Sequence, residues 1–213
     1  MDTLLVRYLG EQPYIDVWQA MKAFTDSRDS SSVDEFWLVQ HPAVFTQGQA
    51  GKDEHVLAPG DIPVVHSDRG GQVTYHGPGQ CVVYCLIDIR RRKLGVRHMI
   101  DALEQGVIEL LRTYGVQAES RSDAPGVYVD GAKIASLGLR VRKGCTYHGV
   151  SLNVAMDLEP FSRINVCGHQ DLTVTQLNDL VEHLDVIQAI EALIDHLMGK
   201  LGYTDRENTN MSY

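Results

Sequence analysis

The sequence lacks several features that would each define a class of protein. No apolar run approaches the ~20 residues that span a bilayer, and no basic segment with a long apolar run follows Met1. Positive charge is scarce, because 28 acidic side chains against 19 basic ones give a formal net charge of −9. Such a balance argues against general nucleic-acid binding. We therefore predict a cytoplasmic protein with no membrane or nucleic-acid partner.

Cysteine is also too sparse and too irregularly spaced to indicate a metal or disulfide framework. The four cysteines are at positions 81, 85, 145 and 167, and neither CxxC nor HxxxH spacing occurs. Cys81 and Cys85 in one strand would lie about 13 Å apart at ~3.3 Å per residue, too far to form a disulfide. We predict no metal and no cofactor.

What the sequence does contain indicates a single α+β domain over residues 1–213. Its 44% hydrophobic content is enough for a sizeable core. Apolar residues at helical spacing predict helices over 14–24, 99–114 and 184–201. The polar residues from Thr204 onward are expected to be frayed.

Strands are predicted from short apolar runs and from a change of period. Asp130-Gly131 is a two-residue hairpin signal between two of these strands. The resulting architecture is a mixed, largely antiparallel sheet with packed helices. The predicted strands cover residues 36–39, 62–65, 81–89, 127–129, 132–142 and 146–155.

The densest glycine stretch, RGGQVTYHGPGQ at 69–80, stands between two of the predicted strands. Such density is expected where backbone must approach another segment or a ligand closely, although 77–79 is also compatible with an ordinary turn. We interpret the stretch as a loop held between two strands, which forms a rigid binding wall and carries Arg69, Thr74 and His76 as chemical groups.

Lys133 begins the apolar face of the predicted strand 132–142, directly after the hairpin turn. A lysine on that face must extend to solvent, find a partner or lose its proton. Cysteine is a plausible partner, because its nucleophilic form is the thiolate and the thiol therefore needs a group that accepts its proton.

Cys167 is the best candidate for that partner, since it lies in a stretch without clear periodicity and precedes Gly168, whose N–H is a candidate oxyanion donor. Cys81 and Cys85 lie in a predicted apolar strand and are interpreted as core residues, and Cys145 stands at the start of another strand. Histidine is the alternative proton acceptor: His76 and His169 remain open, whereas His148 is interpreted as a core residue.

Four ordered motifs together resemble the bacterial octanoyltransferases of lipoate biosynthesis. They are RGGQVTYHGPGQ (69–80), GAKIASLGLRVRKG (131–144), HGVSLNV (148–154) and NVCG (165–168). The resemblance covers roughly residues 30–200. One departure is Val166, where the family usually has proline, and this puts the rigidity of the loop in question.

The resemblance implies the fold of biotin and lipoate protein ligases. It also implies transfer of octanoyl from acyl carrier protein, through a thioester on Cys167 assisted by Lys133, to a lipoyl-domain lysine. The implied acceptors are the E2 subunits of 2-oxoacid dehydrogenases and the glycine cleavage H protein. The residues that match the family's acyl site are Arg69, Gly70, Gly71, Gln72, Val73, Thr74, Tyr75, His76, Ser136, Leu137, Gly138, Gly149, Val150 and Ser151.

Two alternatives stay open at this point. An ATP-dependent lipoate or biotin protein ligase would have the same fold without requiring a cysteine nucleophile, and a non-catalytic module would bind acyl groups or lipoyl domains only. The basic runs at 90–93 and 140–143 are either solvated surface or a dock for the acidic carrier protein.

Overall fold

A computed structural model describes residues 3–210 of the chain as two sheets with three α-helices. The helices are α1 (Tyr14–Ser27), α2 (Val96–Thr113) and α3 (Val186–Lys200). The strands are β1 (Thr3–Glu11), β2 (Asp34–Gln40), β3 (Val44–Gln47), β4 (Val64–His66), β5 (Val73–His76), β6 (Gln80–Leu86), β7 (Glu119–Ser120), β8 (Gly126–Val129), β9 (Ala132–Arg142), β10 (Cys145–Asn153) and β11 (Asp205–Asn210).

The larger sheet has eight strands in the order β11-β1-β2-β6-β10-β9-β8-β7. Strand β1 pairs in parallel with both of its neighbours, and the other five pairings are antiparallel. This confirms the predicted mixed, largely antiparallel sheet. Within the described residues, no helix combines the length and apolar character needed to cross a membrane.

The larger sheet separates two apolar cores, because successive side chains of a strand point to opposite faces. In β6, Val83 and Cys85 face the core built with α2 and α3. Val82 and Tyr84 face the smaller core built with α1. The site described below lies at this second face.

The smaller sheet, in the order β4-β3-β5, supports the segment that carries Cys167. Its apolar cluster contains Phe45 and Tyr75 from the sheet, together with Phe161 and Val166 from the following irregular segment. Packing in this cluster therefore places a short 3₁₀ turn, Val166–Gly168, beside β5.

Local turn chemistry matches the sequence predictions. Asp130 and Gly131 both have positive φ values, 49° and 83°, as a two-residue type I′ hairpin turn requires. Gly115 follows α2 with φ 76°, the left-handed conformation expected directly after a helix.

Two predictions about secondary structure are wrong. The stretch 69–80 is not one continuous loop, because its centre forms β5 and pairs with β3. The residues after Thr204 are not frayed up to Asn210, since β11 pairs in parallel with β1 along the sheet edge. Strand β11 is held by backbone hydrogen bonds to β1. Its sequence is polar and shows no apolar alternation from which a strand could be predicted. Residues 211–213 of the expected frayed tail lie outside the described residues.

Candidate active site

Lys133 and Cys167 are in direct contact. The Lys133 Nζ donates a hydrogen bond of 2.9 Å to Cys167 Sγ and another of 2.9 Å to the carbonyl of Pro125. The Lys133 side chain is 2% exposed and lies 5.3 Å from the centre of the Tyr128 ring. Of the three possibilities open to this lysine, extension to solvent is therefore excluded.

A local irregularity brings the lysine to this position. The pairing of β8 with β9 shifts in register between Val127 and Tyr128, so simple alternation does not hold next to Lys133. Gly126 leaves room for the side chain: a Cβ there would come within 2.8 Å of Lys133 Nζ, and its φ of 149° disfavours other residues. Glu104 of α2, itself buried, accepts a 2.9 Å hydrogen bond from the Gly126 N–H.

Cys167 has a left-handed backbone, with φ 55° and ψ 20°. The adjoining backbone is held by hydrogen bonds from Asn165 N to His55 O (2.8 Å) and from Gly168 N to Asn165 O (2.9 Å). The Gly168 N–H is thus already paired, contrary to its expected role as an oxyanion donor. Val166, in the place of the usual proline, is 2% exposed and packs in the core of the smaller sheet.

Cys167 lines a space that we call the inner cavity, with about 490 Å³ of empty volume including its open mouth. All of the predicted acyl-site residues line it except Gly70 and Tyr75. Its complete lining is Tyr14, Arg69, Gly71, Gln72, Val73, Thr74, His76, Val82, Tyr84, Ser136, Leu137, Gly138, His148, Gly149, Val150, Ser151 and Cys167.

The two exceptions have other contacts. Tyr75 points away from the inner cavity and packs against Phe45 and Phe161, with ring centres 5.5 and 5.4 Å apart. Gly70 donates its N–H to the Leu139 carbonyl at 3.0 Å, which fastens the glycine-rich segment onto β9. Tyr14, Val82 and Tyr84 also line the inner cavity but were not predicted, because their local sequence patterns are those of ordinary core residues.

A second space, the outer cavity, also reaches Cys167. It has about 820 Å³ of empty volume including its open mouth and is mainly apolar. The residues that line it are Gly70, Gly71, Gln72, Val96, Ile100, Asp123, Ala124, Pro125, Leu137, Gly138, Leu139, Cys167 and His169. Cys167 thus lines both cavities, one bordered mainly by buried residues and the other mainly by partly or fully exposed residues.

Arg69 places a second cation near the sulfur. Its guanidinium donates to the carbonyl and hydroxyl oxygens of Thr46 and to the carbonyl of Gly70. Burial lowers the pKa of Arg69 from its ordinary value, while negative charge at Tyr14 or at the Cys167 thiolate works in the opposite direction. A buried guanidinium that lines the inner cavity favours an anion there.

The prediction that His148 is an ordinary core residue needs correction. Its φ is 61°, and its Nε2 lies 3.0 Å from Asp68 Oδ1. It lines the inner cavity, and its buried Nδ1 has no partner among the described residues. Burial acts to raise the pKa of Asp68, but hydrogen bonds from His148, Tyr147 and Trp18 outweigh burial and hold that pKa below its ordinary range.

His76 and His169, the two histidines considered as alternative proton acceptors, do not form hydrogen bonds with Cys167 Sγ. His76 Nδ1 lies 2.7 Å from Gln80 Oε1, and its Nε2 lies 3.3 Å from Thr46 Oγ1. Burial lowers the pKa of His76 to about 3, so the ring is neutral near pH 7. His169 is exposed at the outer cavity. Within residues 3–210, the side chain that donates to Cys167 Sγ is that of Lys133.

Many side chains of the two basic runs have internal partners. Arg91 pairs with Asp34 at 2.8 Å, and Arg92 donates to the carbonyls of Leu201 and Gly202. In the second run, Arg142 and Lys143 both pair with Asp26. These basic side chains therefore stabilise contacts between loops, helix ends and the sheet.

The fold is that of the lipoate and biotin protein ligases. Lipoate-protein ligase A bound with ATP matches 100% of this chain and 90% of its own, with a TM-score of 0.78 at 18% identity. A bipartite lipoate protein ligase from Thermoplasma acidophilum gives 0.78 over 99% of this chain and 88% of its own at 17% identity. Biotin protein ligase from Aquifex aeolicus gives 0.56 over 92% of this chain and 69% of its own at 11% identity. At such identities the likeness shows the fold alone.

Sequence similarity identifies the family. Residues 13–198 match the lipoyl protein ligase A/B catalytic domain, and the chain belongs to this family. An octanoyltransferase of Marinobacter nauticus is 57% identical over 207 residues, covering 97% of this chain and 98% of its own. An octanoyltransferase of Pseudomonas paraeruginosa is 59% identical over 201 residues, covering 94% and 93%. These relatives confirm the resemblance that the four motifs predicted.

Proposed function

We propose that the protein transfers octanoyl from acyl carrier protein to a lipoyl-domain lysine, through a thioester on Cys167. The observation that carries the proposal is the 2.9 Å contact between Lys133 Nζ and Cys167 Sγ at the junction of the two cavities. This contact supports the roles that we assign, with Cys167 as nucleophile, Lys133 as proton carrier and the adjoining cavity as the site of the acyl chain.

In the first step, Cys167 Sγ attacks the carbonyl carbon of the octanoyl thioester. Lys133 Nζ holds or accepts the thiol proton, and its ammonium stabilises the thiolate by a charge-assisted hydrogen bond. The bond from the acyl carbon to the carrier sulfur then breaks, and that sulfur leaves as a thiol with a proton returned from Lys133. Arg69 adds positive potential beside the reacting centre.

In the second step, the amine of the acceptor lysine attacks the octanoyl-Cys167 carbonyl. An amide bond forms, the bond to Cys167 Sγ breaks, and the proton lost by the amine passes through Lys133 to the sulfur. The acyl group stays activated as a thioester throughout, so the reaction needs no nucleotide. The order of bonds formed and broken regenerates the free thiol.

The two cavities suit different parts of the substrates. The inner cavity takes the acyl chain, and the outer cavity admits the thiol-bearing arm of the donor and then the acceptor side chain. We assign the acceptors to the lipoyl domains of 2-oxoacid dehydrogenase E2 subunits and the glycine cleavage H protein. Because the chemistry requires a free thiol, a reducing compartment such as the cytoplasm is expected, and all four cysteines are unpaired.

Intact-mass measurement after mixing the protein with octanoyl-acyl carrier protein tests this function. We expect one octanoyl group on the wild type, none on Cys167→Ala, and transfer to an added lipoyl domain. Cys145→Ala is the matched control, since Cys145 is a buried strand residue away from the cavities and its loss should leave the adduct intact. An adduct that persists on Cys167→Ala would contradict the proposal.

The ATP-dependent ligase remains the second candidate, because a lipoate-protein ligase bound with ATP has the same fold. Protein, octanoate, ATP and a lipoyl domain are incubated without acyl carrier protein. We expect no octanoylated lipoyl domain. Rapid product formation that Cys167→Ala retains would favour the ligase instead.

A further inference from the structure

Four residues of the larger sheet form a straight row across adjacent strands. Gly126 of β8 pairs with Ser136 of β9, Ser136 pairs with Ser151 of β10, and Ser151 pairs with Val82 of β6. Ser136, Ser151 and Val82 all line the inner cavity. We call this row the acyl trough, because its first three residues are small and the larger Val82 stands at its end.

The reacting pair stands at the Gly126 end of the acyl trough. Lys133 Nζ lies beside the position that a Gly126 Cβ would occupy, and Cys167 Sγ is 2.9 Å from that nitrogen. A chain attached to the sulfur and directed into the inner cavity therefore passes over Ser136 and Ser151 before it reaches Val82.

The length of the acyl trough agrees with an acyl chain of medium length. Three strand spacings of about 4.8 Å separate Gly126 from Val82, or roughly 14 Å between backbones. An extended eight-carbon chain has seven C–C bonds of ~1.5 Å at tetrahedral angles, a length of about 9 Å. The bond to sulfur and the Val82 side chain occupy the remainder.

The neighbouring row limits sideways movement of the chain. Gly138 pairs with Gly149, which pairs with Tyr84 of β6. The glycine-rich segment lies directly over this row, because a Cβ on Gly138 would come within 3.1 Å of the Gly70 carbonyl. The Gly70 carbonyl thus narrows the inner cavity beside β9, and the Tyr84 ring narrows it beside β6, although all three residues of this row also line the cavity.

We propose that Val82 is the residue that closes the acyl trough and limits the acyl chain to about eight carbons. This inference rests on the proposed octanoyl transfer and names the specificity-determining residue for it. Val82 is 2% exposed and packs with the α1 core that contains Met21 and Val39. Space behind Val82 is therefore occupied, and truncation to alanine frees room for only one or two carbons.

The test compares Val82→Ala with Val83→Ala. Both changes remove the same two methyl groups from β6, but Val83 faces the α2 and α3 core on the other side of the sheet and does not line the inner cavity. Octanoyl-, decanoyl- and dodecanoyl-acyl carrier protein are offered to each protein, and the rate of adduct formation at Cys167 is measured by intact mass.

For Val82→Ala we expect the decanoyl-to-octanoyl rate ratio to rise by about fourfold per methylene accommodated, the factor that ~0.8 kcal/mol corresponds to. Val83→Ala should keep the wild-type ratio even if it is less stable. The inference is overturned if Val82→Ala keeps the wild-type ratio, or if Val83→Ala changes it equally.

A second measurement separates this inference from the proposed function. Binding of free octanoate, decanoate and dodecanoate to the Cys167→Ala protein, with and without Val82→Ala, requires no thioester chemistry. Preference for longer acids caused by Val82→Ala supports the inference, and an unchanged preference overturns it, whether or not the wild type forms an adduct. Absence of any adduct on the wild type would count against the proposed function alone.

Discussion

Replacing Lys133 tests most directly whether its contact with Cys167 is chemical or only structural. The side chain is 2% exposed, and its nitrogen donates to Cys167 Sγ and to the Pro125 carbonyl, each at 2.9 Å. Lys133→Met keeps an unbranched chain in that space and removes the ammonium. Lys133→Ala removes both and leaves a cavity, so it should be the less stable of the two.

The expected size of the effect follows from thiol chemistry. A free thiol with an ordinary titration near pH 8.5 is only about 3% thiolate at pH 7. If Lys133 keeps Cys167 in the reactive form, its removal should slow acylation about 30-fold at pH 7. The deficit should shrink as pH rises toward 9, because solvent hydroxide then supplies the missing deprotonation.

Rapid-quench intact-mass measurement of octanoyl-Cys167 from pH 6 to 9 gives the acylation rate without requiring turnover. Both variants should show the same pH-dependent deficit if the ammonium matters. Rates within twofold of the wild type at pH 7 would remove Lys133 from the proposed mechanism. A deficit that stays constant up to pH 9 would mean that Lys133 acts by packing alone.

Three further predictions concern the surroundings of the pair. Gly126→Ala should displace the Lys133 side chain, because the Cβ of the new alanine would come within 2.8 Å of Lys133 Nζ. The acylation rate at pH 7 should therefore fall at least tenfold. Equal rates for the variant and the wild type would refute this close contact. Glu104→Ala should lower the free energy of unfolding by about 1–3 kcal/mol, since it leaves the buried Gly126 N–H unpaired. Glu104→Gln, which keeps an acceptor oxygen, should lose less than half of that in urea denaturation, and equal losses would contradict the hydrogen-bond explanation. Burial lowers the pKa of His41 to about 4 and of His76 to about 3, from an ordinary 6.5, so the unfolded chain binds more protons than the folded one below pH 6.5. The contribution of the two histidines to the free energy of unfolding should therefore be fully present above pH 6.5. It should fall toward pH 4 by up to about 1.4 kcal/mol per pH unit for each histidine. Denaturation curves that coincide at pH 7.5 and pH 5 would contradict this.

Much of the candidate site was predictable because the relevant residues occur in compact motifs. The segments around 69–76, 136–138 and 149–151 were identified as acyl-site residues, and twelve of those fourteen line the inner cavity. Tyr75 does not line the inner cavity, because residues of one strand alternate between faces and a motif does not show which face borders the cavity.

The cavity residues that were not predicted have local sequence patterns that do not reveal their position. Val82, Tyr84 and Tyr14 reach the inner cavity from β6 and α1, and their sequence patterns are those of core residues. His148 was misjudged because its φ of 61° breaks the alternation on which its predicted face depended.

Taken alone, the sequence determined the local elements: the three helices, the Asp130-Gly131 hairpin and the glycine-rich stretch beside β9. These depend on side-chain period and turn chemistry, which act over a few residues. Only the tertiary structure decided that Lys133 meets Cys167, 34 positions along the chain. It also decided that Val82 lies three strand spacings from Gly126, the residue beside Lys133 Nζ. Strand order, register and one register shift determine those distances, because they arise from pairing between remote segments that no local pattern encodes.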